Sequence, residues 1–367
     1  MLRLAAFALA TTFFLAACET PASPTSNAIG DPGEIIVVAD SATWDGPVGD
    51  ALRATLGASV APPLGGLGDF RLTRHDLTNE AFRFLRTNKN LIFAAALDDT
   101  SAVARFLTAR LDSSGAAMIR EGRGTSVVPR GDIWARGQIV VMAAAADDST
   151  LAEAIRTHAD TLHAAFTAQA LRYTKIDMFD RGRQSRMEED LLLAHGFAVN
   201  VQHDYFLSQD TTLVVDGHTG HFVRLRRVLS DTWRDFFVYY EDLPSGIIDT
   251  DHVEHVTDLA LETFVRGQYD SAYVALDRRR PIRSDTVLIG GRTATQTRGL
   301  WRMTADLMGG PFVRYTFFDA AQQRLYIYFG MIYAPAHRFR GQKREFLRQI
   351  EVIARTFRTQ TEVEAEE

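Results

Sequence analysis

A single cysteine, Cys18, occurs in the 367 residues, so no disulfide can form within the chain and its stability has to come from packing. Lysine is almost missing too: Lys89, Lys175 and Lys343 are the only lysines among 40 basic residues. The arginines are spread along the whole chain, which fits a general preference for arginine better than a surface tuned to phosphate or carboxylate. There is no excess of positive charge. Forty basic against 46 acidic residues give −6, which argues against the basic face a nucleic-acid partner requires. Beyond the first 15 residues no apolar run approaches the ~18 residues of a membrane-spanning helix. The longest, 91–97 and 139–146, have the length of buried strands. The motifs of nucleophilic and nucleotide chemistry are missing as well: no G-x-S-x-G elbow, no P-loop, no G-x-G-x-x-G between a strand and a helix, no H-E-x-x-H. An active site built from carboxylates would leave no such local signature, so these absences lower the odds of an enzyme without excluding one.

What is present begins at Met1. Arg3 precedes an apolar run, Ala5 to Leu15, of signal-peptide length, and the run ends in Leu15-Ala16-Ala17-Cys18. That ending resembles a bacterial lipobox, in which the cysteine is lipidated on sulfur and becomes the new amino terminus. The expectation is a signal peptide over 1–17, an acylated Cys18 and attachment to the bilayer by lipid alone, each buried methylene contributing ~0.8 kcal/mol. Residues 18–33, with Pro21, Pro24 and Pro32 among Ser, Thr and Gly, read as a flexible tether. Glu19 is not followed by an acidic run, which points to the periplasmic face of the outer membrane rather than the cell exterior.

Between tether and tail the pattern changes once. Over 34–175 apolar runs (35–39, 91–97, 138–145) alternate with helical periods, including one with Leu77, Ala81, Phe84 and Leu85 on a single face. This predicts a two-layer α/β domain. A long helical period, Leu151 to Ala170, then leads to a polar stretch, Asp177 to Arg186, where the domain boundary is placed; a helix bridging both domains is the competing picture. Over 187–358 runs of strand (197–207, 211–215, 221–229, 233–240, 300–304, 311–319 and 324–333) are flanked by helices. This predicts an α+β domain on an antiparallel sheet, and its element order resembles that of PsbP-like folds. Residues 359–367 read as an acidic, frayed tail.

Four features carry candidate chemistry. His218 and His221 bracket a turn beginning at Asp216, and Asp251, His252, Glu254 and His255 crowd a helix start. Imidazole with carboxylate suits zinc-like ions, but neither group has the spacing of a known site, and turn and cap residues account for both. No metal and no cofactor is therefore expected. The basic run Arg278 to Arg283 reads as a solvated loop, with anionic head groups as the alternative partner. The strands 233–240 and 324–333 are apolar on both faces, so each must be covered twice. Covering by the domain's own helices is the plain reading; the alternative is an aromatic binding surface that includes Trp233, Tyr239, Trp301 or Tyr326.

The segments Glu34 to Arg53, with W-x-G-P-V-G, and Arg298 to Asp319 (RGLWRMTADLMGGPFVRYTFFD), continuing to Tyr333-Ala334-Pro335, resemble a family of uncharacterised lipoproteins of the Bacteroidota and related lineages, known as a domain of unknown function. Leu307 departs from it where a bulkier aromatic is expected. The resemblance implies a lipoprotein and assigns no catalytic or binding residues. The sequence therefore predicts a lipid-anchored envelope protein that binds an envelope protein, glycan or lipid, with a periplasmic hydrolase acting on cell-wall or lipid substrates as the alternative. An enzyme would bring two or more of His203, Asp204, His218, His221, His252 and His255 together in a concavity; a binding module would show an open apolar surface.

Overall fold

The computed structural model describes residues 26–57, 68–269, 271–339 and 342–366. Cys18, the signal segment and the first part of the expected tether lie outside the described residues. The strands are β1 (Glu34–Val38), β2 (Arg71–His75), β3 (Asn90–Ala96), β4 (Ser126–Gly131), β5 (Ile139–Ala145), β6 (Phe197–Ala198), β7 (Phe206–Val215), β8 (His218–Val228), β9 (Trp233–Asp242), β10 (Val274–Leu276), β11 (Arg283–Ile289), β12 (Arg292–Met303), β13 (Gly309–Asp319), β14 (Arg324–Tyr333) and β15 (Arg358–Thr359). The helices are α1 (Ser41–Asp45), α2 (Pro47–Leu52), α3 (Asn79–Leu85), α4 (Ala102–Thr108), α5 (Ser113–Arg120), α6 (Asp148–Thr157), α7 (Ala159–Phe179), α8 (Ser185–His195), α9 (Thr250–Phe264), α10 (Ala336–Phe339), α11 (Lys343–Arg355) and α12 (Gln360–Glu366). A π-helical turn, Arg53–Gly57, continues α2.

The amino-terminal half is an α/β domain on a five-stranded sheet of order β2-β1-β3-β5-β4, parallel except for the edge strand β4. Its central strands are apolar on both faces. Ile35 and Val37 face a core with α2, α6 and α7, while Ile36 and Val38 face a second core with α3 and α4. The sheet therefore lies between two helical layers, one more than the two-layer expectation, because continuous apolar strands need cover on both sides. Side-chain caps start most of these helices: Asp40, Thr78, Ser101, Asp112 and Asp147 each accept a backbone N–H of the first turn. Phe84, expected on the buried face of α3, is 70% exposed. Phe82 packs instead, edge-on to Phe93 and Phe106, so the buried stripe is displaced from the expected period.

The carboxy-terminal half is an α+β domain on an antiparallel sheet of order β10-β12-β13-β14-β9-β8-β7, with β11 pairing the first part of β12. The β7–β8 hairpin turns on Asp216 and Gly217, both at positive φ (50° and 82°), the two-residue geometry that matches strand twist. Along β9 and β14, Phe236, Val238, Tyr240, Tyr326 and Tyr328 face α11, whereas Phe237, Tyr239, Ile327, Phe329 and Met331 face α9. The sheet is covered twice by the chain's own helices. The expected strand 197–207 resolves into the short β6, paired with β15, and the start of β7.

Two expectations at the ends are corrected. Residues 26–33 are not a free tether: Asn27 and Ile29 form parallel bridges with Arg136 and Asn88, and Ala28 is buried. The tail is not frayed over its described part, because Thr359 pairs with Phe197, and Glu362 of α12 accepts the Thr359 N–H and pairs with Arg292.

The two halves share one helix. Leu162, Phe166 and Ala170 of α7 sit in the first core, and Leu171 and Met178 of the same helix sit in the second. On α11, Arg344 Nε and Arg348 Nη2 donate to the carbonyls of Gly68 and Asp69, both at 2.7 Å, and Arg348 lies over the Phe70 ring.

The tyrosines buried in this sheet make stability depend on alkaline pH. Burial pushes the Tyr315 and Tyr326 phenols up to about 12 and raises Tyr205 and Tyr328 further. Phenols of the unfolded chain titrate near 10, so this contribution is complete below that pH and is lost as pH rises through the folded values. Tyrosinate absorbance is expected to show these phenols ionising together with loss of far-ultraviolet circular dichroism near pH 12, and not as independent groups around pH 10. Full phenol titration with the fold intact would contradict it.

Candidate functional site

The four aromatics named from sequence do not form a surface. Tyr239 and Trp301 are buried against α9, Tyr326 is buried on the opposite face of the sheet, and Trp233 is half-buried, stacked on Tyr333 and tilted against Trp301. Adjacent strand positions point to opposite faces, so Tyr326 cannot join the others. Two arginines of the basic run are paired internally: Arg278 with Glu254 and Asp258, and Arg279 with Asp277.

The histidines behave differently. His218 and His221 are three apart on β8 and so face opposite sides of the sheet. His221 stacks on Tyr240, near His195. His218 instead lies beside a cleft of about 460 Å³ between the β7–β8 turn, the end of β9 and the start of α9. The i, i+3 spacing of His252 and His255 on α9 brings both rings to that cleft. Glu254, between them, points away and pairs with Arg314 and Arg278.

A chain of contacts runs through the cleft. Tyr239 Oη donates to Glu241 Oε2 at 2.6 Å, and Glu241 Oε1 meets His252 Nε2 at 2.6 Å. His252 Nδ1 lies 3.8 Å from Asp216 Oδ2, and that oxygen also meets His255 Nδ1 at 3.0 Å. Glu241 is buried, so its two bonds orient the His252 ring firmly. Burial, the bond to Glu241 and the charge of that carboxylate all raise the Tyr239 phenol, which stays protonated and donates. Asp242, Asp249 and Asp251 complete the rim. The arrangement offers two kinds of chemistry: an oriented imidazole able to carry a proton, and a concentration of negative charge that draws a cation. Among the described residues no group of three or more His, Cys, Asp or Glu is placed to hold a metal ion.

Asp216, His218, Asp251, His252 and His255 were all visible in the sequence, while Glu241 was not, because the pair Glu241-Asp242 at the end of an apolar strand reads as the strand's solvated end. His203 and Asp204 lie elsewhere, His203 beside a cleft between the domains and Asp204 paired with Arg227 at 2.7 Å.

Comparison with curated proteins finds no match. Family comparison divides the chain at the polar stretch after α7: residues 28–179 match the family described as Domain of unknown function (DUF8532), and residues 184–356 match Domain of unknown function (DUF4837), so the chain carries two domains of unknown function in tandem.

Proposed function

We propose that this chain is a lipid-anchored binding protein of the cell envelope, held through acylated Cys18 at the periplasmic face of the outer membrane, whose acidic cleft receives a cationic group of an envelope partner. The observation that carries the reading is the cleft's charge: Asp216, Glu241, Asp242, Asp249 and Asp251 surround one opening together with His218, His252 and His255. Carboxylates gathered in a concavity repel one another, and an entering ammonium or guanidinium relieves that repulsion. The address rests on the Leu15 to Cys18 sequence.

The test uses the full chain in native envelopes and a defined probe, an oligo-lysine peptide. Asp216→Asn with Asp251→Asn is expected to weaken peptide binding by about tenfold, and salt to weaken it in the wild type, as screening requires. Cys18→Ser is expected to release the protein from membranes or leave the leader uncleaved. Peptide affinity unchanged by charge removal and by salt contradicts the cleft; correct cleavage with continued membrane partition contradicts the anchor.

A second reading has its own support, since buried Glu241 holds the His252 imidazole as the orienting carboxylate of an acid–base pair does. It is a hydrolase working on cell-wall or lipid substrates. Turnover of such a substrate abolished by His252→Ala and by Glu241→Gln, with no effect of the oligo-lysine peptide, would establish that reading over the first.

A further inference from the structure

A second cleft, beside the last turns of α7, carries the opposite charge to the acidic one. It encloses about 580 Å³, within the ~300–1,000 Å³ of small-molecule sites. Four segments bring a cation to it: α7 through Lys175, the loop before α8 through Arg183, the end of α11 through Arg355, and β15 through Arg358. Among the described residues that line it, the one carboxylate is Glu362 of α12, and that group is already engaged. Its Oε2 accepts the Thr359 N–H at 2.9 Å and pairs with Arg292. The cleft is therefore positive in a chain whose net charge is −6. Arg183 is compensated, since buried Glu188 pairs with it and Arg183 Nε donates to Glu188 Oε1 at 3.2 Å. Lys175 and Arg355 differ. Among the described residues neither pairs with a carboxylate; Lys175 is exposed, and Arg355 Nη1 reaches the Leu288 carbonyl at 3.4 Å. Asn200 adds a neutral donor. It is tied through its backbone, whose N–H donates to Thr356 Oγ1 at 2.8 Å, and its half-buried side-chain amide bonds to no described residue.

Cations gathered around one opening repel one another, and an oxyanion seated among them turns that repulsion into attraction. A guanidinium fork donates two parallel bonds to a phosphate, an ammonium adds a point charge, and an amide N–H fills a further lone pair. A monocarboxylate would bring one negative charge against the two cations that lack a carboxylate partner, Lys175 and Arg355, whereas a phosphate dianion matches both. A cationic ligand is repelled here, and a neutral one relieves nothing. We propose that this cleft binds a phosphate group, carried either by a soluble molecule or by a lipid head group. The proposal rests neither on the acidic cleft nor on the anchor.

The full chain is titrated with inorganic phosphate, pyrophosphate and acetate by calorimetry and by the shift in Tm. It is also sedimented with phosphatidylcholine vesicles prepared with and without phosphatidylglycerol. Pyrophosphate is expected to bind and to raise Tm, acetate to do neither, and added sodium chloride to weaken the binding. Lys175→Gln is expected to weaken pyrophosphate by about fivefold while leaving the unliganded Tm equal or higher, because it removes a charge that its neighbours repel. Arg355→Gln should weaken it further and Arg355→Lys should retain part of it; should the half-buried Arg355 variants fail to fold, exposed Lys175→Gln still decides the matter. Sedimentation that requires phosphatidylglycerol and falls in Lys175→Gln would bear the proposal out with a lipid as the source of the phosphate. Pyrophosphate binding without that requirement would bear it out with a soluble one. No response to phosphate, pyrophosphate or phosphatidylglycerol would overturn the proposal, as would acetate binding as tightly as pyrophosphate, or binding unchanged in Lys175→Gln.

Discussion

Replacing Asp235 with alanine is expected to cost about 3–5 kcal/mol, a large share of the stability of an ordinary domain. Asp235 lies in β9, 1% exposed, and accepts from Arg224 Nε at 2.8 Å, Arg224 Nη2 at 2.5 Å and Arg226 Nε at 2.9 Å. Arg224 is buried as well, and its remaining nitrogen donates to the Phe264 carbonyl at the end of α9. The pair thus ties two sheet strands to the helix that covers them. The pair itself need not be worth 3–5 kcal/mol; the cost arises because the alanine leaves a guanidinium buried without its counter-charge. Hence the double variant Arg224→Met, Asp235→Leu should recover most of the loss, since an apolar pair of similar volume removes both charges. Urea unfolding of the three proteins checks this. A single variant within about 1 kcal/mol of the parent, or a double variant no better than the single, contradicts it.

Gly330→Val is the second large effect. Gly330 pairs with Val313 on one side and Phe236 on the other, in the middle of β14. A Cβ added there overlaps Ile350 Cγ2 of α11 and crowds the Tyr328 ring at 3.2 Å. Valine suits strands, but here it has no space, and overpacking of this kind costs about 1–3 kcal/mol, with the upper end expected because the obstacle is a packed helix. The displaced element carries Arg344 and Arg348, which hold Gly68 and Asp69. Amide exchange should therefore show α11 losing protection ahead of the β9 and β14 strands, together with weaker contact between the two halves. Uniform loss of protection across the sheet, with α11 no worse than the strands, would contradict this reading.

How much of this was legible beforehand follows from where the signal is local. Alternating strands such as 324–333 announced both faces correctly, and Asp216-Gly217 announced its hairpin, because period and turn chemistry are carried by adjacent residues. Two peripheral strands, β4 and β11, were not announced. β4 contains Pro129, which argues against a strand, and β11 is mostly exposed, so its pattern is polar. Phe197 to Val201 looked like a strand because it is apolar, yet only two of its residues find a partner strand and the rest are buried irregular chain. At the site, the local turn and helix start supplied five of the titratable groups, while Glu241 comes from a distant segment and acquires meaning only when the fold brings it to them.

Helix α7 has one more consequence. Its first three turns complete the amino-terminal core and its last two complete the carboxy-terminal one, so the limits of family similarity at 179 and 184 are not limits of autonomy. A chain beginning at 184 would expose the seat of Leu171 and Met178, and a chain ending before α7 would lack the cover of Phe166. Insertion or loss of a single residue within the helix would rotate one core's side chains by ~100° relative to the other's. The two domains are thus bound to a common register, and change in one is constrained by the other through a single rod of backbone.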